Sequence, residues 1–66
     1  MGMTTEELCI QNIERGIRLI QSGKKSPKEA GVGSSLNRLK DLNIGMYEDL
    51  LVKYKIAVER YNSLNK

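Results

Sequence analysis

The chain has 66 residues, a net charge of +3, a single cysteine and no histidine. A domain of this size buries a small fraction of its surface and is marginally stable, while one cysteine excludes an internal disulfide and the lack of histidine argues against a structural zinc site. No stretch approaches the roughly 18 apolar residues that span a bilayer, and acidic rather than basic residues follow the amino terminus, which predicts a cytoplasmic protein without a signal peptide. Glu6 stands where the myristoylation pattern after Gly2 wants Ser or Thr, and the methionines on either side of Gly2 allow a start at Met3.

Thr4 and Glu7 have the spacing of a capping box, so a first helix is expected over about 5–22. Ile10, Ile13, Ile17 and Ile20 follow in steps of three and four, with Cys9 and Gly16 beside them. This is a narrow seam of the kind that packs helix on helix, and Gly16 on its margin allows a close approach. Glu6 and Glu7 complement the positive end of the helix dipole, Lys24 and Lys25 complement its negative end, and Gly23 suits a left-handed C′ position. Leu8 and Leu19 fall nearly opposite the seam at 100° per residue, which gives this helix a second apolar face and marks the two leucines as candidate protein-interface residues.

Residues 23–34 read as a connector carrying the sole proline. Ser26-Pro27-Lys28-Glu29 repeats the capping-box spacing with proline at the first helical position, enough for one helical turn before Gly31. Ala30-Gly31-Val32-Gly33-Ser34-Ser35-Leu36 resembles the turn of a helix-turn-helix DNA reader. The resemblance covers these seven residues only. The segment from Pro27 to Gly31 is too short for the first helix of that motif, and Leu36 and Leu39 come one residue early for its recognition helix.

Ser34 or Ser35 is the expected cap of a short helix over about 35–43, and Asn43-Ile44-Gly45 the expected break, with Gly45 as a left-handed C′ residue. A last helix follows over about 46–64. Tyr47, Leu50, Leu51, Tyr54, Ala57, Val58, Tyr61 and Leu64 recur on one of its faces. If the chain were helical straight through 43–45, Leu36, Leu39 and Ile44 would continue the same stripe. Two long amphipathic helices and no alternating strand pattern predict an all-α domain spanning 1–66, an antiparallel helical hairpin or a three-helix unit. For so short a chain, a homodimeric bundle is the expected route to more burial.

Enzymatic chemistry is poorly served. The commonest general base is absent, Cys9 has no activating neighbour in sequence, and Glu6, Glu7, Glu48 and Asp49 are accounted for by the dipoles of helix starts. No catalytic, cofactor or metal residue is therefore expected. Tyr47, Tyr54 and Tyr61 recur every seven positions. They can stack on bases beside Lys53, Lys55 and Arg60, but their place on the apolar stripe favours a core or subunit interface. Lys24, Lys25, Lys28, Arg38 and Lys40, against Glu29 alone between 24 and 40, form a basic segment suited to nucleic acid or another anion. The composite expectation is a small non-enzymatic interaction module, an adaptor, inhibitor or regulator that packs a helix against itself or another protein. The alternative is a nucleic-acid-binding regulator that uses the basic segment 24–40.

Overall fold

A computed structural model describes residues 2–64, and these form four helices and no strand: α1 (Thr5–Gln21), α2 (Pro27–Ala30), α3 (Gly33–Leu42) and α4 (Ile44–Leu64). The all-α expectation holds, in its three-helix form with one added turn.

Thr4 caps α1 by accepting the Glu7 backbone N–H at 3.1 Å. The returning arm of the expected box differs, since the Glu7 carboxylate accepts from the Thr4 hydroxyl at 3.3 Å. At the far end Gly23, at φ +77°, closes a Schellman motif: its N–H donates to the Ile20 carbonyl at 3.0 Å and the Lys24 N–H donates to the Leu19 carbonyl at 3.0 Å. Those bonds satisfy carbonyls that the last helical turn would otherwise leave unpaired.

The connector is more ordered than a loop. Ser26 and Glu29 make the complete capping box, each backbone N–H donating to the other's side-chain oxygen at 3.2 Å, and Gly31 at φ +61° ends the turn. Gly31 takes a conformation that costs an L-residue about 1–2 kcal/mol. α3 then begins at Gly33, with Val32 in the N-cap position and no side-chain cap, instead of at Ser34 or Ser35.

Asn12 Nδ2 donates to Ser35 Oγ at 2.6 Å, Val32 lies against Gly16, and Asn43 Nδ2 donates to Glu6 Oε1 at 2.6 Å. These pairings run α3 antiparallel to α1. α4 reverses once more, with its start beside Glu6 and its end so placed that a Cβ on Gly23 would lie 3.6 Å from Leu64 Cδ1. The two long helices are therefore parallel, not antiparallel. A hairpin would need a simple turn between them, whereas here α3 occupies that connection and returns the chain to the level at which α1 began.

Asn43 also corrects the reason for the break. It is extended, at φ −158° and ψ 94°, its Oδ1 accepts the Met46 N–H at 3.2 Å, and α4 starts at Ile44, two residues before the expected 46. Gly45 has no positive φ and sits inside the first turn of α4. The asparagine side chain, and not a left-handed glycine, ends one helix and starts the next.

The core comprises Cys9, Ile13, Ile17 and Ile20 from α1, Val32, Leu36 and Leu39 from the second half of the connection, and Leu50 and Ala57 from α4. No polar residue is buried among the described residues. Gly16 is buried as well, and a Cβ there would collide with Val32 Cγ1 and lie 3.6 Å from Ala30 Cβ. The close approach that Gly16 allows is thus made by the connector and not by a second long helix. With Val32 only 1% exposed, the connector contributes directly to the core.

Candidate functional site

The described residues offer surface features in place of an enclosed site. Leu8 is 54% exposed on α1, away from the core, as the opposite-face reading expects, whereas Leu19 is half-buried. Leu8 edges a hollow of about 370 Å³ between α1 and α3 that also takes in Cys9, Gln11, Asn12, Arg15 and Ser35. The Asn12–Ser35 hydrogen bond crosses it and ties the two helices together. Cys9, at one edge of this hollow, is a free thiol and 7% exposed, a small apolar filler of the core.

Tyr47, Tyr54 and Tyr61 are all half-buried and packed against the core cluster. Packing of this kind uses the apolar body of a tyrosine, which is what their place on the stripe favours. Lys40 adds a cation over Tyr47, its Nζ lying 5.9 Å from the ring centroid, within reach of a cation–π attraction.

The five cations of the basic segment lie on different elements, Lys24 and Lys25 after α1, Lys28 in α2, and Arg38 and Lys40 in α3. Arg38 borders an outer hollow with Ser34, Asn37, Asp41 and Leu42, and Lys40 turns to Tyr47. Because α3 returns along α1, Arg38 and Lys40 lie beside the first half of α1 while Lys24 and Lys25 lie beyond its end. At 1.5 Å per residue the two groups are roughly 20 Å apart along the helix axis. Lys28 belongs to α2, whose Glu29 carboxyl is held below its ordinary pKa by the hydrogen bonds from the Ser26 backbone and side chain, and by nearby Lys25. The one-turn α2 also leaves the helix-turn-helix resemblance without its first helix.

What the sequence reading missed lies on α4. Val52 is 58% exposed and Ile56 48% exposed, one turn apart on the face turned from the core. Ile56 borders a groove of about 210 Å³ between α1 and α4 that is also lined by Glu14, Ile17, Arg18, Gln21 and Lys53. Val52 and Ile56 are one helical step apart and were readable as a second stripe, but the stronger tyrosine–leucine stripe concealed them. One member of the expected stripe, Leu64, is at the surface instead, at the end of α4 beside Gly23. Ile44, which belongs to the stripe only in a helix continuous through 43–45, is the first residue of α4 and is exposed.

Among the described residues no three of Cys, Asp and Glu come together in a way that would hold a metal ion, and no helix is long and apolar enough to cross a membrane. No family model, curated protein or solved structure matches the chain.

Proposed function

We propose that the chain is a small, cytoplasmic, non-enzymatic interaction module, an adaptor, inhibitor or regulator that packs a helix face on a second copy of itself or on another protein. The observation that carries this reading is the contrast between a core that contains no polar residue and seven large apolar side chains at the surface of the same described residues, four of them on α4. Single exposed leucines are ordinary, but Val52 and Ile56 are exposed one helical turn apart and Ile56 lines a groove. The alternative reading is a nucleic-acid-binding regulator that uses the basic segment 24–40, with its five cations against Glu29 alone.

Sedimentation equilibrium over a range of concentrations tests self-association. The expected mass rises from one chain of 7.5 kDa toward two. Leu8→Glu, or Val52→Glu with Ile56→Glu, is expected to return it to one chain with helicity unchanged, and the variant that does so identifies the surface. A one-chain mass at every concentration contradicts self-association. Binding of an oligonucleotide with steep salt dependence, weakened by Lys24→Ala, Lys25→Ala and Lys28→Ala together, transfers the function to the basic segment.

A further inference from the structure

We draw no further inference here: the strongest candidate, the shallow groove between α1 and α4 bordered by Ile17 and Ile56 with Val52 beside it, is an unpartnered apolar face, and nothing in the structure shows what covers it.

Discussion

Asn43 and Glu6 join the α3–α4 corner to the first turn of α1. The Asn43 amide donates to the Glu6 carboxylate at 2.6 Å while its oxygen caps α4 through the Met46 N–H at 3.2 Å. One side chain thus sets both where the helix breaks and where the corner docks. Asn43→Ala removes both bonds and is expected to cost about 1–2 kcal/mol, the range of a lost N-cap with a tertiary hydrogen bond added. Glu6→Ala removes one bond and is expected to cost less. Urea unfolding followed by circular dichroism gives the order, and equal costs would show that the cap contributes nothing.

Gly45 separates the two explanations of that break. Since it is helical and a Cβ there would meet only Asn43 Oδ1, at an ordinary 3.5 Å, Gly45→Ala is expected to stabilise the protein, by up to about 1 kcal/mol. Gly23→Ala meets no clash either, but the φ of +77° should make it destabilising by about 1 kcal/mol. Thermal melts of the two variants should shift in opposite directions. A fall for Gly45→Ala would restore the left-handed glycine as the cause of the break.

The α2 turn should respond to acid. Glu29 has a lowered carboxyl pKa in the folded chain because its charged form accepts the Ser26 hydrogen bond and faces Lys25. A depressed folded value makes the contribution fully present above the unfolded pKa of about 4.3, and makes it fade as pH falls through the lower folded value. Carboxyl chemical shifts followed by NMR should show Glu29 titrating below the ordinary glutamate value of about 4.3. Ser26→Ala should return Glu29 toward that value, and an unshifted Glu29 titration in the wild type would show that the box is not formed in solution.

The helical class, the cap at Thr4, the Gly23 terminus and most of the isoleucine seam were legible because each depends on neighbours within one or two turns. The parallel course of α1 and α4 was not, since helix direction is set by whether α3 folds back along α1, a tertiary choice that no local spacing records. Val32 was hidden for a related reason. A lone valine among Gly31, Gly33 and two serines has no periodic partner, and only its docking on Gly16 makes it a core residue. The basic segment is spread over the turn after α1, α2 and α3, because the chain turns back between Lys25 and Arg38, and spacing in sequence does not record that.

The placement of Val32 against Gly16 makes the connector part of the core, and a double-mutant cycle in urea tests it most directly. Gly16→Ala should destabilise by about 1–2 kcal/mol despite the better helix propensity of alanine, because the buried Val32 leaves no room for the added methyl. Val32→Ala alone should cost about 2 kcal/mol of lost packing. Combined, the two should cost less than their sum by about 1 kcal/mol or more, since the second substitution makes room for the first. Strict additivity, or stabilisation by Gly16→Ala alone, would contradict the docked connector.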